Sequence, residues 1–141
     1  MLKNITMNGI HMQEDSFLTI LDVARKHGID IPTLCFLKKD DCNFVHRPAS
    51  CRVCIVEVKG RRNLSPACAT YIEEGMEILT NSYKVRQERK NIVELLLSNH
   101  PNACLTCRKS GDCELQALSA KLGVSNNLEF AGPLSQENKE Y

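Results

Sequence analysis

The sequence predicts an α+β domain over residues 1–80, a small helical module over 81–124 and a polar tail over 125–141. Three observations support this organisation. A hairpin signal and a capped helix open the chain, and a Val- and Ile-rich strand pattern follows them. Two apolar stripes of helical period come later, in the second half. Potential metal ligands are spread through both segments, and eight of the 141 residues are cysteine.

The first elements are predicted from local turn and cap signals. Asn8-Gly9 favours a type I′ turn, because both residues tolerate a positive φ, and it joins strands near Leu2–Met7 and Ile10–Gln13. Thr19 and Asp22 form a capping box for a short helix, and Gly28 is typical of the position that ends one. We therefore expect a hairpin followed by a helix.

The next segments are predicted to be extended or irregular. Residues 31–35 are extended, because a residue before proline avoids the α region, and residues 38–50 form a loop. Cys54–Lys59 alternates like a strand, and Leu64–Ala69 and Met76–Thr80 are weaker strand candidates. These strands complete the α+β domain.

Two helices are predicted after residue 80. Asn81 or Ser82 can cap a long helix that ends near His100, because Pro101 follows. Asp112 can cap a last helix that Gly123 ends. The tail over 125–141 shows no period, and we expect it to be disordered or to dock on a partner.

Composition excludes several classes of function. Eighteen basic and seventeen acidic residues give a net charge of +1, which does not favour nucleic acid or a membrane surface as partner. The amino terminus has neither a signal-peptide pattern nor a spanning segment, so we expect a cytoplasmic protein. In that reducing compartment eight cysteines indicate metal binding, whereas secretion by another route would favour four disulfides.

The first potential ligand set contains four cysteines, which are Cys35, Cys51, Cys54 and Cys68. The C-x2-C pair at 51–54 places two thiolates on one turn, so four convergent thiolates can hold a [2Fe-2S] cluster. A C-x2-C pair is also half of a zinc ribbon, and a structural zinc-binding assembly module is the alternative. Cys42 is the odd cysteine and can replace Cys35.

The second set follows the pattern H-x3-C-x2-C-x5-C and contains His100, Cys104, Cys107 and Cys113. One imidazole and three thiolates can hold a [4Fe-4S] cluster. A neutral nitrogen in place of a thiolate makes the set less negative, so we expect a higher reduction potential than four cysteines would give. The other three histidines, at 11, 27 and 46, are interpreted as ordinary surface residues.

Five segments of the chain resemble a known family. They are IPTLC at 31–35, CRVCIVEV at 51–58, PACAT at 66–70, LLLSNHPNAC at 95–104 and GDCELQ at 111–116. Together they resemble the amino-terminal region of the large iron-sulfur subunit of complex I and of iron-only hydrogenases. The resemblance implies a β-grasp [2Fe-2S] ferredoxin domain and a helical [4Fe-4S] module, with the two sets above as ligands. Ala49 departs from the family, which commonly has glycine there.

The resemblance also implies a function. We expect an electron-transfer subunit that relays electrons between a flavin-containing NAD(P)H-oxidising subunit and another redox subunit. The parent complex would be a hydrogenase, dehydrogenase or transhydrogenase, including electron-bifurcating types. The initial Met1 and the polar end at Tyr141 favour a standalone subunit over a fragment. The chain has no glycine-rich dinucleotide fingerprint or P-loop, so we expect its partners to bind the nucleotide.

Overall fold

A computed structural model describes residues 1–35, 49–100 and 104–124. The chain divides into two compact units, one from Met1 to Arg89 and one that begins at Lys90. Most of the loop predicted over residues 38–50, including Cys42, lies outside the described residues, as does the tail over 125–141. The domain ranges 1–80 and 81–124 remain a prediction.

The chain opens with the predicted hairpin. Strand β1 (Leu2–Met7) pairs antiparallel with strand β2 (Ile10–Asp15), and Met7 is opposite Ile10. Asn8 and Gly9 both have positive φ, at 52° and 83°, as a two-residue type I′ turn requires. The local signal therefore predicted both the turn and the register.

The hairpin belongs to a mixed five-stranded sheet. The other strands are β3 (Ile55–Val58), β4 (Ser65–Pro66) and β5 (Glu77–Leu79), and the order is β2-β1-β5-β3-β4. Strand β1 is parallel to β5, whereas every other pair is antiparallel. The predicted strand positions are confirmed, although β3, β4 and β5 are shorter than their sequence patterns and β2 extends two residues beyond its predicted end.

Helix α1 (Ile20–Lys26) packs its apolar face into the core of this unit. The predicted capping box is present, because Thr19 accepts from the Asp22 amide while the Asp22 carboxylate accepts from the Thr19 amide. Gly28 has a φ of 71° and ends the helix. The core also contains Cys54 and Cys68, which are almost fully buried. Packing of the α+β core therefore fixes two of the potential ligands.

Helix α2 (Tyr83–Ser98) begins at a serine cap. The Ser82 hydroxyl accepts a hydrogen bond from the Val85 amide at 3.3 Å and donates one to the Glu57 carboxylate at 2.8 Å. Val85 is fully buried and Arg89 is 4% exposed. The predicted cap at residue 82 is thus confirmed.

The second unit contains a short 3-10 turn, Cys104–Thr106, and helix α3 (Glu114–Leu122). Gly123 ends α3 with a φ of 69°, as predicted. The predicted Asp112 cap is wrong, because Cys113 occupies the N-cap position and makes no side-chain cap bond. None of the helices in the described part of the chain is long and apolar enough to cross a membrane.

A buried carboxylate ties the hairpin to the end of α1. The Glu14 side chain is 7% exposed, and its two oxygens lie 2.6 Å from Lys26 Nζ and 2.7 Å from His27 Nε2. Hydrogen bonds from Lys26 and His27 hold the pKa of Glu14 below its ordinary value of 4.5. The ionised carboxylate is therefore the form that stabilises the fold.

We expect Glu14→Gln to lower the free energy of unfolding by about 1 kcal/mol at neutral pH, because the neutral amide cannot replace the hydrogen bonds that the carboxylate accepts from Lys26 and His27. A carboxyl group whose pKa is lower in the folded than in the unfolded state stabilises the fold fully at pH values above its unfolded pKa. This stabilisation is lost as the pH falls through the folded pKa. The difference from the original chain should therefore shrink below about pH 4.5. Anaerobic urea unfolding of both proteins at several pH values measures this difference in unfolding free energy.

Glu73→Gln is the matched control, because Glu73 pairs with Arg61 at 3.3 Å but its side chain is 65% exposed. We expect a change of under about 0.5 kcal/mol for this variant. Equal effects of the two substitutions, or a Glu14→Gln effect that does not vary with pH, would contradict the role assigned to Glu14.

Candidate metal centres

The first set of four cysteines comes together in the first unit. Cys35 ends the extended segment after α1, Cys51 and Cys54 precede β3, and Cys68 follows β4. The thiols of Cys35 and Cys51 are within hydrogen-bonding reach, as are those of Cys54 and Cys68. Cys51 and Cys54 are close enough for their charges to interact. The structure thus joins all four predicted residues, whereas Cys42 is outside the described residues.

Backbone amides point at these sulfur atoms. The Ala49 amide donates to Cys68 Sγ at 3.2 Å, and the amides of Cys35, Ser50 and Cys51 donate to the Cys35 sulfur. Ala49 and Arg52 both have a φ of 64°, in the left-handed region. Successive amides that converge in this way form a concave anion-binding surface. Alanine at position 49 therefore adopts the conformation for which glycine is usually required.

Burial and hydrogen bonding act differently on two of the thiols. Burial raises the pKa of Cys54 to about 12, so the metal-free thiol keeps its proton at neutral pH. Burial also opposes ionisation of Cys35, but hydrogen bonds from Cys51 and from the Ser50 amide bring the pKa of Cys35 below its ordinary value. Metal binding at this site must therefore release a proton, as thiolate ligation generally does.

The four residues of the second set line one cavity in the second unit. Its volume is about 280 Å³, and its lining consists of His100, Cys104, Thr106, Cys107, Ser110, Cys113 and Gln116. A cavity that holds a single water needs only about 10–15 Å³ on the same scale. The space is therefore large enough for a polynuclear cluster.

Local hydrogen bonds shape the loop around this cavity. The Cys107 amide donates to the Cys104 carbonyl at 3.3 Å, and the Ser110 amide donates to the Cys107 carbonyl at 3.1 Å. The Gln116 side chain accepts from the Gly111 amide at 2.9 Å. Gln116 was not predicted as a site residue, although it ends the GDCELQ motif. Its contact with the loop explains why a glutamine stands one helical turn after the last cysteine.

Cys113 lies where a helix begins. It is the N-cap of α3, and its side chain makes no cap bond. The amides of the first turn of a helix carry partial positive charge, which attracts a negatively charged group bound at that end. The Cys113 side chain is therefore better explained as a donor to an anionic cluster than as a helix cap.

The two sets differ in exposure. Cys54 and Cys68 are buried, whereas Cys104 and Cys107 are exposed and Cys113 is intermediate. Within the three described ranges, no three His, Cys, Asp or Glu side chains are grouped closely enough to hold a single metal ion. Cluster ligands bind different metal atoms, so they lie farther apart than the donors of one zinc ion.

Comparison with protein families matches both parts of the chain. Residues 4–83, more than half of the chain, match the family described as a 2Fe-2S iron-sulfur cluster binding domain. The chain belongs to this family. Residues 89–127 match the family described as the NADH-ubiquinone oxidoreductase-G iron-sulfur binding region. The first match contains all four cysteines of the first set, and the second contains His100 and the three cysteines of the second set.

Individual relatives agree with these family matches. The chain is 46% identical over 136 residues to the NADP-reducing hydrogenase subunit HndD of Solidesulfovibrio fructosivorans, with 96% of this chain and 23% of the relative covered. It is 37% identical over 138 residues to the NADPH-Fe(3+) oxidoreductase subunit alpha of Geobacter sulfurreducens, with 98% of this chain and 16% of the relative covered. The chain therefore spans less than a quarter of either relative.

A solved structure has the same fold. The crystal structure of NAD+-reducing [NiFe]-hydrogenase in the H2-reduced state contains a chain that matches with a TM-score of 0.81 and 28% identity. The match covers 95% of this chain and 54% of that one. The predicted family, the α+β fold and the two cofactors, one [2Fe-2S] and one [4Fe-4S] cluster, are thereby confirmed. Neither family match supports the zinc alternative.

We expect Ala49→Gly to raise the free energy of unfolding by about 0.5–1 kcal/mol, because it removes left-handed strain. That strain costs a non-glycine residue about 1–2 kcal/mol, and the greater freedom of glycine in the unfolded chain offsets about 0.4–1 kcal/mol of the gain. Anaerobic chemical denaturation of the cluster-loaded protein measures the difference.

Ala67→Gly is the matched control, because Ala67 is fully buried and does not have a positive φ. We expect it to destabilise the protein, through both lost packing and unfolded-state entropy. Equal losses of stability in the two variants would contradict the strain assigned to Ala49.

Proposed function

We propose that the two donor sets hold the two clusters. The [2Fe-2S] ligands are Cys35, Cys51, Cys54 and Cys68, and the [4Fe-4S] ligands are His100, Cys104, Cys107 and Cys113. The support for the first set is the network of sulfur contacts and inward-pointing amides. The support for the second set is the cavity that all four residues line.

Bound clusters supply one-electron chemistry, and the residues of the chain control access and charge around them. The buried Cys54 and Cys68 keep one side of the first site away from water. The exposed Cys104 and Cys107 leave one side of the second site at the surface of its unit. An exposed site of this kind allows a redox partner to approach closely.

We propose 1–80 and 81–124 as the domain ranges of the two sites.

The chain is thus proposed to relay electrons between a flavin-containing NAD(P)H-oxidising subunit and another redox subunit. The observation that carries this proposal is the presence of two different cluster-binding regions in one short chain. The named hydrogenase and NADPH-Fe(3+) oxidoreductase relatives are subunits, which supports a hetero-oligomeric redox complex as its setting. We further propose that this complex lies in the cytoplasm and that electron-bifurcating types are included. Copurification of the native complex identifies the partners.

Metal analysis and ligand variants test the two sites separately. We expect anaerobically purified protein to contain about six irons per chain with matching sulfide, because the clusters hold two and four irons. Cys51→Ser should remove the [2Fe-2S] signal from the electron paramagnetic resonance spectrum and leave the [4Fe-4S] signal, whereas Cys107→Ser should do the reverse. Zinc without iron or sulfide in such protein would contradict the proposal.

Cys35→Ser and Cys42→Ser form a matched pair for the first site. We expect Cys35→Ser to disrupt the [2Fe-2S] signal, because the thiol of Cys35 contacts that of Cys51. Cys42→Ser should leave the signal unchanged. The opposite result would make Cys42 the fourth ligand.

His100→Cys tests the electronic role of the histidine. An added thiolate makes the ligand set more negative, so the [4Fe-4S] reduction potential should fall, by on the order of 100 mV. Redox titration followed by electron paramagnetic resonance measures the change, with the [2Fe-2S] potential of the same sample as internal control. A retained cluster with an unchanged potential would contradict this role.

A further inference from the structure

Arg89 is a buried cation beside the first cysteine site. The residue is 4% exposed, and its Nη2 donates to the Ile55 carbonyl at 2.8 Å. Ile55 directly follows Cys54, and Arg89 lies close enough to Cys54 for a negative charge on that sulfur to act on the guanidinium. Helix α2 therefore presents a guanidinium to the first residue of β3, next to a proposed cluster ligand.

The charge of Arg89 is poorly compensated by the protein. Among the described ion pairs none involves Arg89, and the negative charge of Asp30 also acts on it. Its Nε is buried and has no hydrogen-bond partner among the described residues. A buried charge is costly to maintain unless an anion lies near it.

The arginine nevertheless remains charged under physiological conditions. Burial lowers the pKa of Arg89 to about 10, while Cys54 and Asp30 act in the opposite direction. At neutral pH the guanidinium is therefore protonated. A cluster held by four thiolates is the anion that could compensate it, and this cluster gains one further negative charge when it takes up an electron.

We propose that Arg89 sets the reduction potential of the [2Fe-2S] site by holding a positive charge beside Cys54. This inference rests on the proposed function, because it requires a cluster on Cys54. A nearby cation stabilises the reduced cluster more than the oxidised one, since the reduced cluster is more negative. Low exposure strengthens the effect, because little water lies between the charges to screen them.

A purely structural role is the competing explanation. The hydrogen bond to the Ile55 carbonyl also ties α2 to β3, and its loss would affect stability whatever the charge does. The reduction potential separates these roles, because an anchoring hydrogen bond alone does not favour an added electron. Arg89→Lys keeps the charge, Arg89→Gln keeps a hydrogen-bond donor, and Arg89→Met keeps neither.

The experiment is an anaerobic redox titration of full-length protein with dithionite, followed by electron paramagnetic resonance. For Arg89→Met and Arg89→Gln we expect a fall in the [2Fe-2S] potential that corresponds to about a tenfold change in the reduction equilibrium, or about 59 mV. Arg89→Lys should stay near the original value. The [4Fe-4S] potential should not change in any variant.

Arg86→Met is the matched control, because Arg86 is an exposed arginine on the same helix. We expect both potentials to be unchanged in this variant. A [2Fe-2S] potential that is unchanged in both neutral Arg89 variants, or that falls equally in Arg86→Met, would overturn the proposal for Arg89.

The remaining outcomes also decide the question. If both neutral variants lose the [2Fe-2S] signal while Arg89→Lys keeps it at the original potential, Arg89 acts in assembly of the site and the proposal is overturned. Absence of the [2Fe-2S] signal from the unmodified protein would instead contradict the proposed function. The two failures are thus distinguishable.

Discussion

The proposed [2Fe-2S] site requires four sulfur atoms from three separate chain segments to meet in one place, and this requirement accounts for much of the architecture of the first unit. Thiolates repel one another and are poorly tolerated in a core, so the fold has to supply compensation from its own polar groups. Amides around residues 49–51 point at sulfur, and the left-handed conformation of Ala49 is part of the geometry that aims them. Strands β3 and β4 then place Cys54 and Cys68 at the same end of one short antiparallel pair, because Ile55 is paired with Pro66.

The sequence predicts the features that depend on neighbouring residues. The turn at Asn8-Gly9, the capping box at Thr19 and the glycine at position 123 were all predicted, because each is specified within about four residues. The grouping of the cysteines followed from motif spacing together with the family resemblance. The failed Asp112 cap shows the limit of local signals, because two adjacent residues can both begin the same helix and the loop decides between them.

Features that depend on distant residues were not predicted. The helical period places Arg89 among several basic residues away from the apolar stripe of α2, where exposure to solvent is expected. In the structure Arg89 is buried and donates a hydrogen bond to the Ile55 carbonyl. The contact between Gln116 and the loop at Gly111 is similarly hidden, because glutamine in an exposed helix usually faces solvent. The parallel pairing of β1 with β5 also leaves no pattern in either strand. In each case the deciding partner lies on another element or across a loop.

That parallel pairing has a consequence for how the domain forms. Thr6 pairs with Glu77, so the sheet cannot close until synthesis has passed residue 77. All four cysteines of the first set lie inside the long loop that this pairing closes. Ordering a long loop costs conformational entropy, and a crosslink within it removes part of that cost in advance. With the ligands proposed above, cluster insertion and completion of the sheet favour each other, since each removes part of the conformational entropy that the other would have to overcome.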